Sequence, residues 1–157
     1  MGGLTALHHA CKNDHVEVVT LLLEQGKAHV NTEDDSGSTP AALCARMGNL
    51  KCLELVAAKG ANIDHPAKSG ITPLINAVLN GRLAIIDWFI KKGVNINHAD
   101  AQGNTALHVA AQCGFQRVVA QLLAAGAKAT TENERGERAE DVAVTPAIKN
   151  IIKAATQ

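Results

Sequence analysis

Histidine and cysteine side chains are the residues of this 157-residue chain best suited to metal or nucleophilic chemistry. They come closest together near the N-terminus, at His8, His9, Cys11 and His15. Residues three apart on a helix are neighbours, so His8 and Cys11 could share a metal ion. Tetrahedral zinc needs four ligands in a fixed geometry, and nothing in the sequence fixes His15 beside that pair. We therefore expect no bound metal, and a metal-dependent or enzyme-accessory role is the weakest functional alternative.

Carboxylates and glycine-rich segments give no stronger sign of catalysis. The run Glu33-Asp34-Asp35 falls in a predicted turn, where water should keep the acidity of these groups ordinary. General acid catalysis instead needs an environment that shifts the pKa of one carboxyl group. The sequence contains no P-loop, G-x-G-x-x-G, H-E-x-x-H or G-x-S-x-G motif. We predict that the protein is not an enzyme and carries no cofactor.

The composition argues against nucleic-acid and membrane binding. Lys and Arg number 15, as do Asp and Glu, and this balance removes the general attraction to phosphates or anionic lipids. The apolar runs are a few residues long, far short of the roughly 20 that a bilayer crossing needs. Aromatic residues make up only 2% of the chain, which suits neither base stacking nor a large sugar site. The abundant alanine suits closely packed helices.

Glycine recurs along the chain with one dominant period, which indicates an internal repeat. Three interleaved series begin at Gly3, Asp14 and Gly26, and each continues with glycines at intervals of 34, 33 and 33 residues. The period defines four units, at about residues 1–33, 34–66, 67–99 and 100–132, and a C-terminal capping unit at 133–157. We treat residues 1–157 as a single domain.

Each of the four units carries the signals of two helices. Thr39-Pro40 is typical of a helix start, because threonine caps a free N–H and proline costs no hydrogen bond at the first helical position. His8 follows Thr5 by three residues, and His108 follows Thr105 likewise, which is the spacing of a capping box. A second, more hydrophobic helix follows in each unit and should end at a left-handed glycine.

The first unit has an aspartate where the others have glycine between the two helices. Asp14 stands three residues before Glu17, so the sequence predicts a second capping box at the start of this unit's second helix.

A 33-residue turn–helix–helix unit that opens with Gly-x-Thr-Pro-Leu-x-x-Ala resembles the ankyrin repeat. The motif stands, with variations, at Leu4–Ala10, Ser38–Cys44, Ile71–Ala77 and Asn104–Ala110. The second unit departs most, with Ala41-Ala42 where leucine and histidine are usual. The resemblance covers essentially the whole chain. It implies an all-α ankyrin-repeat solenoid, in which stacked helix–turn–helix units are joined by β-turn or hairpin loops.

The resemblance also implies a binding surface. Ankyrin units stack into a curved array whose turns and first helices line a concave face, and the family binds other proteins through variable side chains there. We expect a partner protein to bind at these positions: Asp35, Ser38, Arg46, Met47, Lys68, Ile71, Leu79, Asn80, Gln102, Asn104, Gln112 and Cys113.

Three of these positions are unusual because ankyrin repeats mostly carry polar residues there. Met47, Ile71 and Leu79 belong to adjacent central units, and Arg46 and Lys68 lie around them in the sequence pattern. We interpret this set as an apolar centre with a polar rim, which is typical of protein interfaces. Scattered exposed apolar residues without any role are the alternative interpretation.

The four cysteines are predicted to be free thiols. Cys11, Cys44 and Cys52 fall at helical positions that small or aliphatic residues hold in other units, whereas Cys113 corresponds to Asn80 on the predicted surface. Reduced cysteines and the lack of a signal-peptide pattern favour the cytoplasm. A leader removed ahead of Met1 would leave the same sequence, so this alternative stays open.

These observations predict a non-catalytic protein–protein interaction module that regulates, inhibits or scaffolds a partner protein. We expect the unbound chain to be a monomer that binds neither nucleic acid nor membranes. A structural segment of a longer ankyrin array, without a partner of its own, is the main alternative.

Overall fold

Nine helices form the regular structure of residues 2–157, the part of the chain that the computed structural model describes. Each of the first four units contributes an inner helix followed by an outer helix. The pairs are α1 (Ala6–Lys12) and α2 (Val16–Glu24), α3 (Pro40–Met47) and α4 (Leu50–Ala58), α5 (Pro73–Leu79) and α6 (Leu83–Lys92), and α7 (Ala106–Cys113) and α8 (Gln116–Ala124). The last helix is α9 (Pro146–Ala154). The expected all-α solenoid is confirmed.

The helices stack in two layers. The inner helices α1, α3, α5 and α7 pack against one another in chain order, and α9 covers α8 at the C-terminal end. Ala41, Cys44, Ala77 and Ala110 are fully buried between the inner helices. Such small side chains let helix axes approach closely, which explains the alanine-rich composition.

The inner helices begin at threonine caps, as predicted. The hydroxyl oxygen of Thr39 accepts a hydrogen bond from the Ala42 N–H at 3.3 Å. The Thr5 N–H donates to His8 Nδ1 at 3.1 Å, and the Thr105 N–H donates to His108 Nδ1 at 3.3 Å. Both histidines therefore complete the predicted capping boxes.

The same two histidines also join neighbouring units, which the sequence spacing did not indicate. Because Nδ1 accepts a hydrogen bond, the ring proton lies on Nε2. The Nε2–H of His8 donates to the Ser38 carbonyl at 3.0 Å, and that of His108 donates to the Glu137 carbonyl at 3.0 Å. Both rings are buried. Each histidine thus fixes a helix start to the turn of the next unit.

The predicted capping box between Asp14 and Glu17 is wrong. Asp14 has φ 57°, the only positive φ of a non-glycine residue within residues 2–157, and α2 begins without a side-chain cap. Asp14 adopts the left-handed conformation of its counterpart Gly48, which aspartate tolerates better than most residues. Its carboxylate accepts a hydrogen bond from the Cys52 thiol at 3.4 Å instead. The expected left-handed glycines after the outer helices are present, for example Gly60 at φ 88°.

The fifth unit keeps the turn but has a single helix in its described residues. An isolated antiparallel bridge joins Glu132 to Arg138, and the chain then turns irregularly before α9. Ile148 and Ile152 of α9 are buried, whereas Asn150 and Lys153 are exposed. A polar outer face is typical of a capping repeat, and the capping role of this unit stays a prediction.

No helix in the described part of the chain is long and apolar enough to cross a membrane.

Candidate concave binding site

The turns between units form one edge of the concave face. We call residues 34–38, 67–71, 100–104 and 133–137 the turn tips. Backbone hydrogen bonds of 2.9–3.0 Å connect the last three tips to the tip before each of them: Lys68 N–H to Ser36, Ala101 N–H to Ser69, and Glu134 N–H to Gln102. The first of the four tips is connected in the same way to the N-terminal segment, by Asp35 N–H to Gly2 at 3.1 Å. This regular ladder fixes the spacing of side chains along the edge. A partner would therefore meet a preorganised surface.

Side-chain oxygens hold three of the four tips in shape. Asp34 Oδ1 accepts hydrogen bonds from the N–H groups of Ser36 and Ser38, both at 2.9 Å. Asp100 and Asn133 accept the equivalent pairs of N–H groups at 2.9–3.0 Å. These bonds are typical of Asx turns.

The hydrogen bonds in the turn tip of the second unit also change the acidity of Asp34. Burial raises the pKa of this carboxyl group, but the hydrogen bonds from the Ser36 hydroxyl and from the N–H groups of Ser38 and Ser36 outweigh it, so the pKa is lowered. The expectation of ordinary acidity in this turn is therefore wrong for Asp34. A lowered pKa keeps the group ionised and does not suit a general acid.

Two of the three unusual apolar residues are exposed at the C-terminal ends of inner helices. Met47 at the end of α3 is 38% exposed, and Leu79 at the end of α5 is 44% exposed. Ile71 is half-buried and packs against the hydrophobic core. Ile71 therefore differs from Met47 and Leu79, because its side chain lies at the base of a tip and contacts the core.

A groove of about 360 Å³ lies between the second and third units, and we call it the central groove. Leu43, Ile71 and Asn76 line it, together with Arg46 and Lys68. Its other lining residues are small: Ser36, Ser38, Ala67 and Ser69. The site therefore combines an apolar base with two cationic side chains.

The two cations have no carboxylate partner within the described residues. The Lys68 ammonium donates to the backbone carbonyl of Asp35 at 2.8 Å, and the Arg46 side chain is exposed. The carboxylates of residues 2–157 that contact basic side chains lie elsewhere: Glu132 pairs with Arg138, and Glu33 lies 2.8 Å from His65 Nε2. The positive charge at the groove is thus available to a ligand.

The other predicted binding residues lie on the tips or at the ends of the inner helices. Ser38 and Asn104 are half-buried, and the Asn104 side-chain oxygen accepts a hydrogen bond from Asn133 at 3.0 Å. The remaining ones are exposed: Asp35, Asn80, Gln102, Gln112 and Cys113. The structure thus brings Arg46, Lys68 and Ile71 together in one groove, whereas Gln102, Gln112 and Cys113 lie further along the array.

The cysteines are free thiols, with Cys11, Cys44 and Cys52 buried and Cys113 exposed, as predicted. A hydrogen bond to Cys11 and burial raise the pKa of Cys44, and burial with a hydrogen bond to Asp14 raises that of Cys52 to about 12. Burial also raises the pKa of Cys113. Within residues 2–157, no cluster of three or more His, Cys, Asp or Glu side chains could hold a metal ion.

A second groove lies on the outer surface between α4 and α6. Glu54, Ala58, Trp88 and Lys92 are among its lining residues. Trp88 is half-buried, packs edge-on against Phe89 with ring centroids 5.3 Å apart, and has the Lys92 ammonium 5.3 Å from its ring centre. Trp88 thus serves mainly the packing of the outer layer, and its polar neighbour already covers the ring.

The chain matches one family model and is similar to segments of several larger proteins. Residues 2–67 and 63–133 match the family model described as ankyrin repeats in three copies. The chain is 36% identical over 61 residues to the E3 ubiquitin-protein ligase KEG of Arabidopsis thaliana, covering 39% of this chain and 4% of that protein. It is 42% identical over 65 residues to human ankyrin repeat and SOCS box protein 16, covering 41% and 14%. It is 37% identical over 60 residues to the mouse nuclear factor NF-kappa-B p105 subunit, covering 38% and 6%.

Proposed function

The chain belongs to the ankyrin repeat family, and we propose that it is a non-catalytic module whose concave face binds a partner protein. Ankyrin repeats generally bind other proteins and are generally non-catalytic. Two observations carry the proposal: Met47 and Leu79 are exposed apolar side chains at the ends of neighbouring inner helices, and a groove between the second and third units has two unpaired cations.

Burial of the exposed Met47 and Leu79 side chains by a partner would contribute binding free energy. Exposed apolar side chains gain free energy when a partner removes them from water, at roughly 25 cal/mol per Å². Interface energy concentrates in a few central residues, and polar groups around them set specificity. Arg46 and Lys68 supply such polar groups in the central groove. A rigid ladder of tips lowers the entropy lost on binding.

The relatives support a module rather than one shared activity. Their names describe a ubiquitin ligase, a SOCS box protein and a nuclear factor subunit, and the matched segments cover only 4–14% of those three proteins. We propose that partner binding by this chain regulates, inhibits or scaffolds that partner in the cytoplasm. We also propose that the unbound chain is a monomer and that its zero net charge leaves it without affinity for nucleic acid.

One observation favours a second candidate, a structural segment of a longer ankyrin array. Val18 of α2 is 46% exposed, while the residues one, two and three repeats later (Cys52, Ile85 and Val118) are at most 1% exposed. In those later units the preceding unit covers this position. A further ankyrin unit stacked on α1 and α2 would cover Val18 in the same way.

The experiment that tests the proposal compares capture of native proteins by the purified chain and by variants. Met47→Glu with Leu79→Glu should weaken capture of the main partner by at least about 30-fold, which corresponds to about 2 kcal/mol. Leu21→Glu is the matched control, because Leu21 is 54% exposed on the outer helix α2. It should leave capture unchanged. Full capture by the double variant would overturn the concave-face assignment, and loss with Val18→Glu instead would support the structural candidate.

A further inference from the structure

The turn tip of the third unit lacks the side-chain acceptor that is present in the tips of the second, fourth and fifth units. Ala67 occupies the place of Asp34, Asp100 and Asn133, whose Oδ1 atoms each accept two backbone N–H groups. The backbone nevertheless makes the same turn, since the Ala67 N–H donates to the Ile71 carbonyl at 3.0 Å.

The missing side chain leaves two donors free. The N–H groups of Ser69 and Ile71 correspond to those that Asp34 binds in the second tip, and they have no acceptor within residues 2–157. Both residues line the central groove together with Ala67. The free donors therefore belong to the same site as the two unpaired cations, Arg46 and Lys68.

These four groups match the chemistry of a carboxylate. A carboxylate has two oxygens that accept several hydrogen bonds, and hydrogen bonds to a charged acceptor are stronger than those to a neutral one. Backbone N–H groups that converge in a turn bind anions in many proteins. A neutral amide could satisfy the N–H groups but would leave the charges of Arg46 and Lys68 without a counter-charge.

We propose that the central groove binds the carboxylate of an Asp or Glu side chain on the partner protein. One carboxylate oxygen accepts hydrogen bonds from the N–H groups of Ser69 and Ile71, in the role that the side chain of Asp34 has in its own tip. Arg46 and Lys68 balance the charge. An aliphatic residue next to that acid contacts Met47 and the exposed part of Ile71. This inference rests on the proposed function of the concave face and names the chemistry that the face recognises.

The test uses two short capped peptides, acetyl-Leu-Asp-Leu-amide and acetyl-Leu-Asn-Leu-amide, titrated into the ¹⁵N-labelled full chain. The aspartate peptide should shift the amide signals of Ser69 and Ile71 downfield in a saturable manner, because their protons form hydrogen bonds to a charged acceptor. The asparagine peptide should bind at least about tenfold more weakly.

Two substitutions distinguish the effect on binding of occupying the N–H groups of Ser69 and Ile71 from the effect of adding a charge nearby. Ala67→Asn should supply an internal acceptor without charge, as Asn133 does in the fifth tip. It should weaken binding of the aspartate peptide at least about tenfold and also raise the unfolding midpoint, which shows that the variant is folded. Ala101→Asp is the control, because this exposed residue of the next tip adds one negative charge without an acceptor for these N–H groups. It should weaken binding by less than about threefold.

Three results would overturn the proposal: equal binding of the two peptides, undiminished binding to Ala67→Asn, and no saturable shift at Ser69 and Ile71. None of them affects the proposed function, which is tested separately by partner capture with the Met47 and Leu79 variants. If the Met47 and Leu79 variants lose partner capture while Ala67→Asn captures the partner undiminished, partner binding at the concave face is supported. Recognition of a carboxylate by the central groove is then rejected.

Discussion

Replacing His108 by alanine should destabilise the C-terminal end of the array selectively. The ring accepts a hydrogen bond from the Thr105 N–H at 3.3 Å and donates one to the Glu137 carbonyl at 3.0 Å, and the residue is only 2% exposed. Alanine would leave both backbone groups without these partners. The Glu137 carbonyl keeps its hydrogen bond from the Asn133 N–H at 2.9 Å, so only the Thr105 N–H is left unsatisfied. One buried donor without an acceptor costs roughly 1–3 kcal/mol and the lost bond to Glu137 about 1 kcal/mol more, so the total loss should be about 3 kcal/mol.

The effect should be local because units in a repeat array depend mainly on their neighbours. Amide hydrogen exchange should become faster in residues 133–137 and in α9, and the free energy of unfolding from urea titration should fall. His8→Ala should act in the same way on residues 34–38, because His8 makes the equivalent bond to Ser38. His9→Ala is the control, since His9 is exposed and its change should stay within about 0.5 kcal/mol. Unfolding of His108→Ala at the same urea concentration as His9→Ala would show that the buried histidine does not stabilise the array.

Four further outcomes follow from the same structure. Cys113 should react first with a thiol reagent because it is the exposed cysteine of the described chain, and equal slow labelling of all four thiols would contradict this. Deleting the residues after Thr131 removes α9 from α8 and should lower the unfolding midpoint or cause aggregation, so a monomer with an unchanged midpoint would show that the fifth unit is not a cap. Because the folded-state pKa of Asp34 is lowered, its ionised form stabilises the fold above its ordinary pKa of 3.8, and this contribution is lost as the pH falls through the lowered value. The stability difference between wild type and Asp34→Asn, about 1 kcal/mol or less at pH 7, should therefore shrink below pH 3.8. A difference that stays constant with pH would contradict the stabilising role of the ionised Asp34 carboxylate. DNA or RNA binding at sub-micromolar concentration in physiological salt would contradict the expected lack of nucleic-acid affinity.

The fold was predictable because repeated glycines and threonines act locally. Thr39 caps the helix that follows it, and Gly60 ends an outer helix with a positive φ, whatever the rest of the chain does. The burial of Cys11, Cys44 and Cys52 also followed from comparing equivalent positions in different units.

The candidate site was less predictable because it depends on contacts between units. The sequence pattern places Ile71 in an apolar centre of the surface, but packing at the base of its tip leaves the residue only partly exposed. The bond from His8 to Ser38 joins residues 30 positions apart, and no local spacing indicates it. Ala67 is ordinary in the sequence, and its significance appears only when its tip is compared with the hydrogen bonds of Asp34 and Asp100. A comparison of the four tips in the sequence alone could have shown that substitution, but not the two free donors.

The most direct test of the central claim is a hydrogen-exchange footprint of the chain with its captured partner. Binding at the concave face should slow exchange at tips 34–38 and 67–71 and at the ends of α3 and α5, with little change in the outer helices α4, α6 and α8. Protection confined to the outer helices, or to α1 and α2 around Val18, would contradict the claim that the concave face is the binding surface.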